Sequence, residues 1–485
     1  MSSSAPEKIE AFLRHPLTRA ALRPLTHKNG RGECPIDRVM NRFDDPSATL
    51  HDRVTLGPVF ALIDRLCRWS GASPETVRDE VFRHVARHRG IVNTLRGIAR
   101  YGLVKPQIFS APLMVVWNFT QACNFKCQHC YQNAAKALPD ELTLDEQLRI
   151  VDELVDNDVP LIAFSGGEPM MGKNFWPVVE YCGAKDLNIQ IATNGSLLTP
   201  EAVDRLARAN VRYVEVSVDS VDPERHDAFR GVEGYWQRTI DGIKNVIADG
   251  RMKCGLASTI TRNNIDELDD LVELAKSLGC DTFYAFNFIP TGRGKGIVDI
   301  DLTPRQRESM LRTLHKHLWQ GEINIVTSAP QLGRACLEFD SPNDIMNTGH
   351  YGAGQGERAR MLARYVGGCG AGRAYCALQP NGVVTPCVFM PIEVGDLRRQ
   401  SLPEIWHGSD VLKRLRTREN LKGACAGCDY KLYCGGCRAR AWGYFDDLDQ
   451  ADPGCLRNET AWQAIADGAS LPQRKTPGAC NYSPA

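Results

Sequence analysis

Between residues 112 and 290, six apolar, β-rich runs recur, each followed by a helical pattern. They are LMVVWNF (113–119), PLIAFS (160–165), NIQIAT (188–193), YVEVSV (213–218), KCGLAST (253–259) and TFYAFN (282–287). Segments such as LDEQLRIVDELVDN (144–157) and DELDDLVELAKSLG (266–279) separate them, with apolar residues at helical spacing. Strand–helix repeats of this kind impose parallel pairing with right-handed crossovers. Continuous apolar strands belong in a sheet covered on both faces. An α/β core over 111–330 follows. Periodicity alone does not separate an open sheet from a barrel.

The remaining chain divides around that core. With 485 residues, two or three domains are expected. Residues 1–110 read as a helical extension, with SPET (73–76) as a helix start. In it Phe82, Val85, Val92, Leu95 and Ala99 form an apolar stripe, flanked by Arg83, Arg87, Arg89, Arg96, Arg100 and Lys105. Such a helix either packs with a solvated basic face or meets an anionic substrate or membrane surface. Pro106 is expected to end it. Residues 331–364 read as a linker, 365–460 as a cysteine-rich domain with little regular structure, and 461–485 as a polar tail. Basic and acidic residues number 58 each, so bulk charge gives no sign of nucleic-acid binding. The start of the chain lacks the apolar core of a secretory signal, and no run is long and apolar enough to span a bilayer. A cytoplasmic protein is expected, with at most peripheral membrane contact.

Eighteen cysteines are the outlying number, and eleven fall within 123–130 and 369–455. At this density thiols in a reducing compartment are more often metal ligands than disulfides. The other seven read as small buried apolar residues. Cys123, Cys127 and Cys130 stand just beyond the first strand, where parallel α/β folds place active sites. A four-iron cubane normally takes four thiolates, so three leave one iron open to a small molecule. A zinc knuckle short of one ligand is the blander reading. Further sites follow strand by strand: Ser165-Gly166-Gly167-Glu168-Pro169, Thr193-Asn194-Gly195, Val216-Ser217-Val218-Asp219, then Arg230 in HDAFRG and Ile289-Pro290-Thr291-Gly292-Arg293. Asn194 and Asp219 can equally be turn formers. Tyr131, Tyr284, Asn287, Arg293 and Tyr375 are candidates to face the same pocket, with no acid–base role assignable. The second region carries Cys369, Cys376 and Cys387, then Cys425, Cys428, Cys434 and Cys437, and finally Cys455. Its paired C-x2-C spacing is metal-binding; a pair of zinc sites is the alternative to clusters.

The Cys-x3-Cys-x2-Cys run with the GGEP, TNG and VSVD segments, each at the end of its own strand, resembles the radical S-adenosylmethionine (SAM) superfamily. The resemblance covers about 112–460. It implies a partial (β/α)6 TIM-like barrel and a [4Fe-4S] cluster whose open iron chelates SAM. Reductive cleavage then gives a 5′-deoxyadenosyl radical that abstracts a substrate hydrogen. By the same resemblance His129 lies near the adenine. Glu168 meets the SAM ammonium, Ser217 the ribose and Arg230 the SAM carboxylate. The C-terminal region resembles the SPASM domain, with Gly382 five residues before Cys387. That implies two auxiliary [4Fe-4S] clusters, one on Cys369, Cys376, Cys387 and Cys437, the other on Cys425, Cys428, Cys434 and Cys455. Cys376 is the first candidate to drop out, which would leave an iron free. Two residues separate Cys434 from Cys437, where many SPASM members have three.

The branch most similar in these segments is that of tetrapyrrole maturation, including alternative-pathway haem synthases and enzymes of sirohaem derivatives. It implies oxidative modification or decarboxylation of a propionate side chain, with an electron donor such as flavodoxin or ferredoxin. Maturation of a ribosomally made peptide, modification of a lipid and a non-catalytic electron-transfer role are the alternatives. The last would not need Glu168, Ser217 and Arg230 together.

Overall fold

The computed structural model describes residues 10–11, 13–29, 34–43, 49–70, 73–349 and 354–467. Most of the expected tail, from 468 onward, lies outside them.

The extension is helical: α1 (Pro16–Leu25), α2 (Pro35–Arg42), α3 (Leu50–Ser70) and α4 (Val85–Tyr101). Ile36, Val39, Met40, Phe43, Phe82 and Val92 form a small core of their own. Gly102, not Pro106, ends α4: at φ 79° its N–H reaches back to Ile98 O at 2.8 Å.

The core then alternates as β1 (Met114–Thr120), α5 (Leu144–Asp156), β2 (Leu161–Gly166), α6 (Phe175–Ala184), β3 (Asn188–Thr193), α7 (Pro200–Arg208) and β4 (Val211–Ser217). It continues through α8 (Pro223–Arg230), α9 (Trp236–Asp249), β5 (Lys253–Ile260), α10 (Leu268–Ser277), β6 (Thr282–Asn287), α11 (Pro304–Gln320) and β7 (Asn324–Thr327). Local chemistry starts α5: the Glu146 carboxylate accepts from Thr143 N at 2.8 Å while Thr143 Oγ1 accepts from Glu146 N at 3.4 Å. β1 to β7 pair in order, all parallel. Residues at the carboxyl ends of β2 to β6 line one cavity, so the sheet curls around it as a partial barrel.

Three features extend the expected plan. A seventh parallel strand, β7, flanks β6. The stretch read as linker contains α12 (Leu332–Glu338), whose Leu332, Ala335 and Cys336 are buried in the main core. The cysteine-rich region supplies β8 (Tyr375–Leu378), parallel to β1, and the antiparallel β9 (Val383–Thr385) and β10 (Gly395–Asp396). The sheet thus runs β10-β9-β8-β1 through β7.

The extension packs against the amino ends of the strands. Arg89 donates to the carbonyls of Lys185 (2.8 Å) and Asp186 (3.1 Å), just before β3. Arg96 donates to the Asp158 carboxylate at 2.7 Å, just before β2, and Asn93 to Ala111 O at 3.1 Å, just before β1. The basic helix is therefore a packed one, and these cations stand at the opposite end of the sheet from the cysteine loop. Among the described residues no helix is long and apolar enough to cross a membrane.

Candidate active site and auxiliary cysteine sites

The loop after β1 presents Cys123, Cys127 and Cys130 to a cavity at the carboxyl ends of the strands. Each sulfur receives a donor: Cys123 from Phe125 N (3.4 Å), Cys130 from Ala134 N (3.4 Å) and Cys127 from Arg230 Nη1 (3.8 Å). Three converging sulfurs, each supplied with N–H, fit a cluster that carries negative charge on its thiolates. Burial pushes the free Cys123 thiol up to about 12, so its ligand form depends on metal charge. Arg293 fastens the loop, donating from Nε to Cys127 O and from Nη1 to Ala134 O, both at 2.8 Å.

The second strand's loop lies hard against the first. Gly167 N donates to Thr120 O and Glu168 N to Ala122 O, both at 2.8 Å. A Cβ on Gly167 would stand 2.2 Å from Ala122 O. Gly167→Ala is accordingly expected to displace this wall and abolish the SAM cleavage that the resemblance implies, measured as 5′-deoxyadenosine formation, while the C-terminal cysteine sites keep their iron.

Gly166, Gly167, Thr193, Asn194, Ser217, His129 and Arg230 all line the cavity. Glu168 does not. Its carboxylate is buried and accepts from Thr193 Oγ1 and Asn194 N, each at 2.9 Å. Burial raises it to about 7 despite those bonds. It thus joins the ends of β2 and β3, and the Gly166–Gly167 backbone just before it lines the cavity. Asp219 also lies behind the wall, 2.6 Å from Arg230 Nε. Burial pushes its carboxyl up, but Arg230, His129 and His226 together hold it below the ordinary range. Asp219 therefore orients Arg230. Asn194 does two jobs: its side chain accepts from Ser196 N at 2.9 Å as a turn former and donates to Asn124 in the cysteine loop at 2.8 Å. His129 stacks on Phe229 with centroids 4.2 Å apart, and burial lowers it to about 4, which leaves a neutral, planar wall.

Of the pocket candidates, Tyr131, Asn287 and Arg293 line the cavity, whereas Tyr284 stacks on Phe286 and Tyr375 faces elsewhere. Phe389 and Glu215 are among the lining residues that escaped the sequence reading. Phe389 packs edge-on to Tyr131 at 5.2 Å, and Glu215 projects from mid-β4. The only signal for Glu215 was a charge inside an apolar strand.

The C-terminal cysteines form two sets. Cys425, Cys428, Cys434 and Cys455 line one small cavity. Cys369, Cys387 and Cys437 share a separate cluster with Tyr375. Gly435 and Gly436, at φ 71° and 66°, reverse the chain within two residues, so Cys434 and Cys437 serve different sets despite the short spacer. Cys376 departs from the expected assignment. It pairs in register with Val115 and is buried in the main core with it, on the opposite face of β8 from Tyr375. Tyr375 instead donates its hydroxyl to Cys387 Sγ at 2.9 Å. Hydrogen bonds to cluster sulfurs raise reduction potentials. Cys376→Ala is expected to keep the full iron content, and Tyr375→Phe to lower one auxiliary midpoint potential, both read by iron assay and EPR titration.

The chain matches the Radical SAM superfamily over residues 117–294 and the SPASM iron–sulfur cluster-binding domain over 369–429. It is 33% identical over 352 residues to the AdoMet-dependent heme synthase of Methanosarcina barkeri, covering 72% of this chain and 97% of that enzyme. The chain belongs to the radical SAM superfamily.

Within that superfamily it is also 30% identical to the mycofactocin maturase MftC of Mycolicibacterium smegmatis, over 73% of this chain and 85% of that one. The structure of Streptococcus suis SuiB bound to S-adenosylmethionine has a similar fold, with a TM-score of 0.62 at 17% identity over 87% of this chain and 93% of that one. This radical SAM enzyme therefore uses [4Fe-4S] clusters and SAM, and the SPASM region is its iron–sulfur domain. Tyr131 stands where the fields of Cys130 and Cys387 both reach it. Its hydroxyl is tied to Ser165 Oγ at 2.8 Å and Asn118 Oδ1 at 3.0 Å. Phe389, which lines the same cavity and packs on Tyr131, also donates its N–H to Cys387 Sγ of the three-cysteine set at 3.5 Å.

Proposed function

We propose that this radical SAM enzyme oxidises or decarboxylates a propionate side chain of a tetrapyrrole. The supporting observation is the 33% identity that spans 97% of a heme synthase. The adjacency of cavity and auxiliary site through Tyr131 and Phe389 also suits a reaction that must release an electron. When bound, the cluster supplies the electron that cleaves SAM to the hydrogen-abstracting 5′-deoxyadenosyl radical.

In this reading Cys123, Cys127 and Cys130 hold the SAM-binding cluster. The Gly166–Gly167 backbone, Asn194, Ser217 and Arg230 position SAM, and His129 walls its adenine. Cys369, Cys387 and Cys437 hold one auxiliary cluster. Cys425, Cys428, Cys434 and Cys455 hold the other. The described part of the extension braces the barrel through Arg89, Asn93 and Arg96, so these residues of the basic helix are engaged in packing and not in meeting a lipid. The enzyme is cytoplasmic and takes its electrons from a flavodoxin or ferredoxin. Maturation of a peptide is the second reading, favoured by the 30% identity with MftC.

The test incubates anaerobically reconstituted enzyme with SAM, a reductant and an iron tetrapyrrole bearing propionates. Coupled formation of 5′-deoxyadenosine and loss of CO2 from the macrocycle is expected. SAM cleavage that leaves the macrocycle unchanged would overturn the proposal.

A further inference from the structure

Two cations are buried among the auxiliary cysteines with no carboxylate to answer them. Arg418 is 6% exposed and Arg438 2%. Among the described residues neither makes an ion pair. Arg418 donates from Nη2 to Cys369 O at 2.8 Å, and its buried Nε has no hydrogen-bond partner among them. Arg438 donates to the carbonyls of Gly436, Leu448 and Gln450, and its Nη2 reaches Cys425 Sγ at 3.8 Å. A buried guanidinium bonded only to neutral groups is costly, and it is kept where a negative charge offsets it.

The turn between the two cysteine sets is built around these groups. A Cβ on Gly435 would stand 2.7 Å from Arg418 Nε and Cζ, and one on Gly436 2.4 Å from Arg438 Nη2. Besides reversing the chain, the paired glycines after Cys434 therefore admit one guanidinium each. The two sets also meet there, as Cys369 N donates to Cys434 O at 3.1 Å. Arg418 lies at this junction. The thiolates of Cys369 and Cys434, one from each set, reach it with their fields. Arg438 touches Cys425 of the four-cysteine set.

A thiolate-bound [4Fe-4S] cluster carries net negative charge, and reduction adds one more. A fixed cation beside it favours the reduced state and raises the potential. We propose that Arg418 is a counter-charge shared by the two auxiliary clusters and raises the reduction potential of both. For a reaction that releases an electron, such a cation makes both sites better acceptors. The inference rests on the assignment of the two cysteine sets to clusters and is independent of which substrate is modified.

The test is an EPR-monitored redox titration of the reconstituted full chain, run with and without SAM so that the SAM-binding cluster is told apart. Arg418→Gln should lower both auxiliary midpoints by about ten-fold or more in the reduction equilibrium, about 59 mV for one electron. Arg438→Gln should lower one auxiliary midpoint only. Arg418→Lys, which keeps the charge, should stay near the unsubstituted values. A fall in one auxiliary midpoint or in neither with Arg418→Gln would overturn the proposal, as would an equal fall with Arg418→Lys. Iron analysis covers a damaged variant: iron lost with Gln but kept with Lys supports the counter-charge, whereas iron lost with both overturns it. Fewer than two auxiliary signals in the unsubstituted chain would overturn the cluster assignment, and the proposal with it. Because no tetrapyrrole or peptide is present, a wrong substrate proposal leaves this test intact.

Discussion

With Cys123, Cys127 and Cys130 all replaced by alanine, the reconstituted chain is expected to retain about eight of about twelve irons, as three four-iron clusters require. 5′-Deoxyadenosine production should fall to background. The separation of sites underlies the expectation. The three N-proximal sulfurs belong to the loop after β1, whereas both C-terminal sets are built from residues beyond 368. Their supporting donors are also distinct. Phe125, Ala134 and Arg230 serve the first site, while Tyr375, Phe389 and Gly436 serve the others. Iron analysis with an anaerobic product assay reads both quantities on one sample. Proportional iron loss from every site would show that the sites are not independent.

Asp301→Ala is expected to destabilise the protein by about 3–5 kcal/mol, the range for removing one partner of a buried ion pair. Asp301 is wholly buried, between the barrel and the cysteine-rich domain. It accepts from Arg307 Nη2 at 2.6 Å, from Tyr444 Oη at 2.9 Å and from Arg440 Nη1. Arg440 and Tyr444 lie on a helix (Arg438–Phe445) that begins directly after Cys437. Removing the carboxylate leaves two buried guanidinium groups with one fewer counter-charge. The damage should reach the active site as well, since Arg307 Nε also donates to Asn287 Oδ1 at 2.8 Å, and Asn287 lines the cavity. Equilibrium denaturation of the variant and of the milder Asp301→Asn measures the cost. A change below about 1 kcal/mol, the scale of an exposed pair, would contradict this account of the interface.

The six core strands were legible because each is an apolar run bounded by helical periodicity. What escaped was short or chemically disguised. β7 is four residues, and β8 reads YCAL within a run of cysteines and glycines, so metal spacing masked its strand character. Spacing places Cys376 near its neighbours in sequence, but alternation along β8 turns it away from Cys387 and turns Tyr375 towards it. Only the pairing with β1 fixes that choice. The basic residues of α4 were visible, but their use was not: Arg89 and Arg96 answer carbonyls and a carboxylate that the fold brings from more than 60 residues away. Glu168 was correctly placed at the end of β2, but its tie to Thr193 and Asn194 at the end of β3 depends on strand pairing that the sequence does not show. Glu215 escaped for a related reason, since a charge within an apolar strand reads as an interruption until the sheet curls around it.

The central claim is that the cluster on Cys123, Cys127 and Cys130 leaves one iron for SAM. Hyperfine spectroscopy of the reduced enzyme with SAM labelled at its amino nitrogen and carboxylate oxygen tests this directly. Coupling from both labels to the cluster is the expected result, lost in the triple-alanine variant. A SAM-loaded enzyme with coupling from neither label would contradict the account.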